Sequence, residues 1–243
     1  VFLSDGGVIK VTAAHQFHVR DSRTKFYEPR RVDQLKPGDW VRVFPARMPN
    51  NPVPDKPPHL SDREFGFLIG VLVGDGCYTE RAFSRNVVPV STHADEEEWN
   101  AVVQEAFQKL GATHFATYVN SGSHSMMMDP KPGPVIADWV RTLLLPPARS
   151  PEKRLPLAYI NSNREFLEGL LDGLFSTDGS VDLSSNHPLL RFHTSSEELA
   201  RQVRLILLMF GIHARIHRTV RKRHALNGRE IRHDRPKYEV VIS

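Results

Sequence analysis

Two acids stand in the same unusual setting. Asp75 closes the run Phe65-Gly66-Phe67-Leu68-Ile69-Gly70-Val71-Leu72-Val73-Gly74, and Asp178 closes Leu171-Asp172-Gly173-Leu174-Phe175-Ser176-Thr177; Gly76 and Gly179 follow them. An acid at the C-terminal end of an apolar helix opposes the macrodipole and is costly to bury alone. It suits a hard divalent cation, which takes oxygen ligands. Small residues four apart share one helical face. Gly70 with Gly74, and Gly173 with Thr177, therefore let two such helices approach closely and bring Asp75 and Asp178 to one end of their interface. The following glycines are expected to stop the helices. Two carboxylates sharing cations, with waters in the remaining positions, suit hydrolysis of a phosphodiester. One cation generates the attacking hydroxide and another stabilises the leaving oxygen.

Other residues offer further chemistry. Lys153, in Pro151-Glu152-Lys153-Arg154-Leu155-Pro156, precedes the second helix. It could stabilise phosphorane charge or polarise a water; a surface lysine in a loop is the plainer alternative. Thr12 and His15, three apart in a β context, could hold and polarise a peptide bond, although a structural histidine is the simpler reading. Residues 215–237 carry Arg215, Arg218, Arg221, Lys222, Arg223, Arg229, Arg232, Arg235 and Lys237 against Glu230 and Asp234. That balance suits a polyanion, or else a solvated loop. Met126, Met127 and Met128 read as packing, Cys77 as a buried small residue, and the histidines show no metal-ligand spacing.

The elements that must position these residues follow from pattern. With 243 residues and 40% hydrophobic content the chain can build a sizeable core. No apolar run approaches the roughly 20 residues that span a bilayer, and Val1 opens no signal peptide. No membrane partner is expected. One cysteine excludes an intrachain disulfide and a cysteine-rich zinc site, and points to a reducing, cytoplasmic setting. Residues 1–45 read as short strands (8–12, 16–19, 40–44) and a turn at 35–39, part of a larger β domain. The proline-rich stretch 46–60 reads as a linker. Residues 61–243 read as α+β: helix 64–74, hairpin 77–83 with 86–91, helix 95–110, hairpin 114–119 with 123–128, and helix 135–144. The order αββαββα then restarts with helix 166–177, hairpin 180–183 with 189–193, helix 197–210, and strands 214–220 and 238–242, with the last helix missing. The halves divide at residues 155 and 156. Two similar halves suit a target of approximate two-fold symmetry, such as duplex DNA.

These motifs resemble a known family. Residues 68–76 and 171–179 look like the two copies of the LAGLIDADG motif of homing endonucleases, in the version carried inside inteins. Val11-Thr12-Ala13-Ala14-His15 resembles the Thr-x-x-His motif of the Hint splicing domain, and Leu35-Lys36-Pro37-Gly38-Asp39 its Gly-Asp turn. Lys153-Arg154-Leu155-Pro156 is similar to the lysine motif before the second helix, and Leu205-Ile206-Leu207-Leu208-Met209-Phe210-Gly211-Ile212 to the late Leu-rich motif. The resemblance spans essentially the whole chain and implies a duplicated endonuclease fold preceded by a Hint fragment.

It further implies that Asp75 and Asp178, with Gly74 and Thr177 beside them, bind Mg²⁺ or Mn²⁺ and cut both strands of double-stranded DNA. Lys153 would assist. The target would be a long, approximately pseudo-palindromic site in the uninterrupted host gene, gripped by a monomer whose strands lie along the major groove. Thr12 and His15 would activate the upstream splice junction in a precursor flanked by host-protein exteins. Val1 is not the expected nucleophile and residues 238–243 are not the expected His-Asn ending, so the chain reads as cut from a longer intein and unable to splice alone. A second catalytic lysine is unassigned. Two alternatives stand beside this reading: a DNA-binding module of the same fold that does not cleave, and a splicing element with a decayed nuclease.

Overall fold

The computed structural model describes all residues except 7, 43–46, 120–124, 184–187, 221–223, 227–228, 232–235 and 243. Strands β1 (Gln16–Arg20) and β2 (Tyr27–Arg31) pair antiparallel, with Val19 opposite Glu28. The expected strand at 8–12 is reduced to one bridge between Phe2 and Val8. Of the expected strand at 40–44, Val41 bridges Val19 and the remainder lies largely outside the described residues.

The next segment does not hang free. Met48 and Val53 pack against the core, Leu60 is buried, and Asn51 Nδ2 donates to the Asn161 carbonyl at 2.8 Å. The prolines fix an extended path, its apolar residues pack on the core, and Asn51 ties it to the second half of the protein.

Ser61 starts α1 (Asp62–Gly74) with a reciprocal cap: its hydroxyl accepts from the Glu64 amide, and the Glu64 carboxylate accepts from the Ser61 amide. Beyond Asp75, the strand expected at 77–83 is instead the short helix α2 (Glu80–Ser84). Thr79 caps it by accepting from the Ala82 amide, so a local side-chain bond overrides the β-prone composition. The first half continues through β3 (Val90–His93), α3 (Glu97–Gln108), β4 (His114–Val119), β5 (Ser125–Lys131) and α4 (Gly133–Thr142). Losing one strand to α2 leaves a three-stranded antiparallel sheet in the order β3-β5-β4.

After the short helix α5 (Leu157–Ile160), Asn163 caps α6 (Arg164–Asp178) by accepting from the Phe166 amide. The helix runs directly into β6 (Gly179–Asp182), followed by β7 (Leu189–Thr194), α7 (Glu197–Met209) and β8 (Ala214–Thr219). Ser196 caps α7, and Gly111 and Gly211, at φ +95° and +76°, follow α3 and α7 in the left-handed conformation glycine allows. A separate pair, β9 (His224–Leu226) and β10 (Arg229–Ile231), precedes β11 (Lys237–Ile242). The second sheet has the order β6-β7-β11-β8.

Helix α7 packs across β7, β8 and β11. Phe192, Val240 and Ala214 are buried on that side. Side chains alternate along a strand, so Arg191, His193, Glu239, Arg215 and His217 occupy the outer face. In the first sheet Val90 and Met128 are buried, which puts Ser91, Met127 and Tyr118 on its outer face. Residues near the N-terminus close the open side of β8: the Ile216 amide donates to the Asp5 carbonyl at 2.9 Å, and Arg204 pairs with Asp5. Among the described residues no helix is long and apolar enough to cross a membrane.

Candidate active site

Helices α1 and α6 meet backbone to backbone. A Cβ on Gly66 would lie 2.1 Å from the Phe166 carbonyl oxygen, and one on Gly169 would lie 2.0 Å from that of Arg63. Farther along, Gly70 faces Leu170 and Gly173, and Gly173 faces Phe67. Only glycine permits such approach. At the end nearest the acids, Gly74 abuts Thr177, whose hydroxyl donates to the Gly173 and Leu174 carbonyls at 3.1 and 2.9 Å. At the opposite end Arg63 ties the helices through Asp172 at 2.6 Å and Glu168 at 3.4 Å.

The seam brings the two acids together. Asp75 is the C-cap of α1 and Asp178 the last residue of α6. Both line a cleft of about 540 Å³ with Gly74, Ser91, Lys153, His193 and Lys237. The helices stop at the glycines after the acids, as expected, but for a different conformational reason. Neither has positive φ, and Gly179 is extended; each is needed because a Cβ would strike a carbonyl one turn back, Leu72 at 2.5 Å for Gly76 and Phe175 at 2.1 Å for Gly179.

The electrostatics are those of a buried acid pair that Lys153 offsets only in part. Burial, and then the neighbouring Asp178, push the Asp75 carboxyl up to about 7, with Lys153 pulling the other way. Burial raises Asp178 as well, opposed by Lys153 and His193. Among the described residues no donor hydrogen-bonds either carboxylate. Two buried, unbonded carboxylates side by side are unfavourable unless protonated or bound to a cation. That donor chemistry fits Mg²⁺ or Mn²⁺, which binds through one or two carboxylates and draws its other ligands from water and phosphate. Among the described residues no group of three or more histidine, cysteine or acidic side chains is placed to hold a metal; a cation held by this pair would draw its remaining ligands from water and phosphate.

Lys153 is at the site and buried. Its Nζ donates to the Gly74 carbonyl at 2.6 Å and lies 5.5 Å from the Tyr78 ring centre. Burial lowers its pKa, while Asp178 and Asp75 hold it up. Its loop is fixed from a distance: Ser196 Oγ donates to the Lys153 carbonyl at 2.7 Å, and the Gln202 side chain brackets the Leu155 amide and carbonyl at 2.7 and 2.9 Å. Neither anchor is visible in the sequence as a site residue. If the cleft hydrolyses a phosphodiester, Lys153→Met, which keeps the stem, should leave the fold intact and slow that reaction by about 10²–10³-fold, the usual cost of losing one positioned charge donor. Single-turnover kinetics beside a melting curve would check this; an unchanged rate would return Lys153 to a packing role.

The other candidates are placed less centrally. Gly74 and Thr177 meet in the seam beside the acids; the Gly74 carbonyl accepts from Lys153 and the Thr177 hydroxyl donates within its own helix. Thr12 and His15 lie in an exposed turn before β1. The His15 amide donates to the Thr12 carbonyl at 3.1 Å, the ring packs edge-on to Phe17, and neither residue lines the acid cleft. Arg215 and Lys237 lie on the outer face of the second sheet, whereas Arg218 shares the alternation of Ala214 and Ile216 on the α7 side. The side chains of Arg221, Lys222, Arg223, Arg229, Arg232 and Arg235 are outside the described residues. Arg191 and His193 join the outer face only through strand register.

Residues 157–242 match the family described as LAGLIDADG-like domain. The match covers the second half of the protein and shows what this stretch is similar to. It contains α6, β6, β7, α7, β8 and β11, and thus Asp178 and the basic sheet.

Over 222 residues the chain is 29% identical to the replicative DNA helicase DnaB of Rhodothermus marinus, covering 87% of this chain and 22% of the helicase. Over 224 residues it is 25% identical to the DNA polymerase of Thermococcus hydrothermalis, covering 87% of this chain and 13% of the polymerase. The chain thus spans less than a quarter of these relatives' length. Among solved structures, a mesophilic variant of the homing endonuclease I-DmoI is similar at 14% identity and a TM-score of 0.46, covering 75% of this chain and 89% of that one.

Proposed function

We propose that the protein is a site-specific, divalent-metal-dependent endonuclease that hydrolyses double-stranded DNA and resides within an intein. The observation that carries this reading is the convergence of Asp75, Asp178 and Lys153 in one cleft between two sheets, positioned by a glycine seam. Both halves contribute one acid and one outer sheet face. A duplex laid across the two faces would present a scissile phosphate to each side of the acid pair.

Asp75 and Asp178 would hold the divalent cations, which when bound supply an activated water and neutralise charge on the leaving oxygen. The seam fixes the separation of the carboxylates, so no reorganisation is needed as charge develops. Lys153 sits beside the pair with its ammonium oriented by the Gly74 carbonyl, where it offsets charge on the phosphorane. His193 and Lys237 line the same cleft and meet the backbone of the incoming strand.

The intein part of the reading is supported by the pattern of relatives. One stretch of about 220 residues resembles parts of a helicase and of a polymerase, two proteins of different named activity. A module shared by both is more simply an insert than a working part of either. Residues 1–45 would then belong to the splicing domain, with Thr12 and His15 acting on the upstream junction of a longer precursor.

The test is a supercoiled plasmid carrying the host gene joined without the insert. In Mg²⁺ it should become linear, in EDTA it should not, and Asp178→Asn should leave it intact in both. Binding without cutting at any Mg²⁺ or Mn²⁺ concentration would replace the nuclease with a DNA-binding module.

A further inference from the structure

The two outer sheet faces differ in chemistry. On the first sheet, Ser91, Met127 and Tyr118 form one cross-strand row, with Ala116 also outward. Ser91 Oγ donates to Met127 Sδ at 3.2 Å, which ties the row to the cleft wall that Ser91 lines, and Tyr118 is 61% exposed. On the second sheet one row is Ser180, Arg191, Val241 and Arg215, and the next is His193, Glu239 and His217. Ser180 and Glu239 flank His193, at 2.8 and 3.9 Å. The contrast continues in sequence: residues 114–131 carry one base and one acid, residues 214–242 nine bases and three acids.

The strand pairing makes the difference specific. Gly76 bridges Val90 as Gly179 pairs with Phe192, so Ser91 and His193 are equivalent positions. A neutral residue that contacts a thioether stands opposite a histidine bonded to Ser180 and 3.9 Å from a carboxylate.

We propose that the halves divide the recognition of DNA, the second sheet gripping phosphates by charge and the first reading thymine methyl groups through Met127 and Tyr118. This rests on the DNA-binding part of the function proposed above. Phosphate contacts fix position without reading sequence, whereas base-edge contacts specify. In the major groove the thymine C5-methyl is the one apolar base feature, and an apolar side chain is its complement. Met127 offers an unbranched, polarisable chain that adapts to such a group, and Tyr118 an aromatic body. Arg215 and Arg191, the latter paired with Asp182 at 2.7 Å, lie in a row where charge alone suffices.

The test uses the full chain in Ca²⁺, reads binding alone, and so stands apart from cleavage. Duplexes are selected from a random library, and thymine is replaced by uracil in one half-site at a time. Uracil in one half-site should weaken binding about fourfold for each buried methyl removed, and uracil in the other should change nothing. Met127→Ser and, separately, the exposed Tyr118→Ser should reduce that penalty and leave the salt dependence unchanged. Arg191→Ala with Arg215→Ala should do the reverse, lowering the slope of log affinity against log salt by about 0.9 for each phosphate no longer neutralised.

An equal response of both half-sites to uracil, or a penalty that survives both serine variants, would overturn the division. Salt-dependent binding with no selected sequence would overturn base reading while leaving the DNA-binding function intact. Absence of duplex binding would remove both.

Discussion

Asp75→Asn should abolish strand cleavage and at the same time raise the melting temperature of the metal-free protein at pH 8. The two effects share one cause. The Asp75 carboxyl sits at about 7 in the folded protein against an ordinary 3.8, because burial and Asp178 disfavour its charge. A raised folded value means that folding takes up a proton. The associated stability is complete below the unfolded value and is lost as pH rises through the folded one, here from about pH 4 to about pH 7. At pH 8 the wild type bears the whole penalty and the asparagine variant bears none.

At about 1.4 kcal/mol per pKa unit, and with Lys153 relaxing the site, the variant should gain on the order of 1–4 kcal/mol at pH 8 and little at pH 4. Denaturation in EDTA at both pH values would measure the difference. An equal gain at both would show that the effect is not linked to ionisation. Mg²⁺ should remove the wild type's disadvantage by binding only the folded, ionised pair. Protons compete for the same oxygens, so the cation's affinity should fall as pH drops below about 7.

The second large effect lies at the far end of the helix pair. Gly66→Ala and Gly169→Ala each place a methyl about 2 Å from a carbonyl oxygen of the other helix. No rotamer can relieve a clash between backbone and Cβ, so the helices must separate. Overpacking in a well-packed core costs about 1–3 kcal/mol, and a collision with backbone belongs at or above the upper end. Whatever protein remains folded should cut more slowly, since a misplacement of about 1 Å can cost roughly 100-fold. Chemical denaturation and single-turnover cleavage would read both losses. Full stability in either alanine variant would contradict the close approach of α1 and α6.

The parts of this site that local spacing controls are legible in the chain. Gly70, Gly74, Gly173 and Thr177 announce a seam because i and i+4 share a face, and the acids follow at the ends. Gly66 and Gly169 extend the same spacing by one turn, and their role shows only when the facing helix is present. The lysine motif identifies Lys153, but its placement depends on Ser196 and Gln202, which lie more than forty residues away. Gly76 and Gly179 stand where the helices stop, as expected, but they are required by close approach to the preceding turn and not by positive φ, a distinction that needs φ angles. The region 77–83 reads as strand from its aromatic and threonine content, yet Thr79 caps a helix there. Arg191 and His193 escape notice because register, not composition, decides which face of β7 meets the cleft.

The most direct measurement is a calorimetric titration of Mn²⁺ into the full protein bound to its selected duplex. Wild type, Asp75→Asn, Asp178→Asn and the double variant would be compared. If the two carboxylates share cations with the DNA phosphates, each single variant should lose at least the roughly 10–100-fold that even outer-shell changes cost. The double variant should then show no saturable binding. Equal Mn²⁺ affinity in the wild type and the double variant would contradict a metal site at the end of the helix pair.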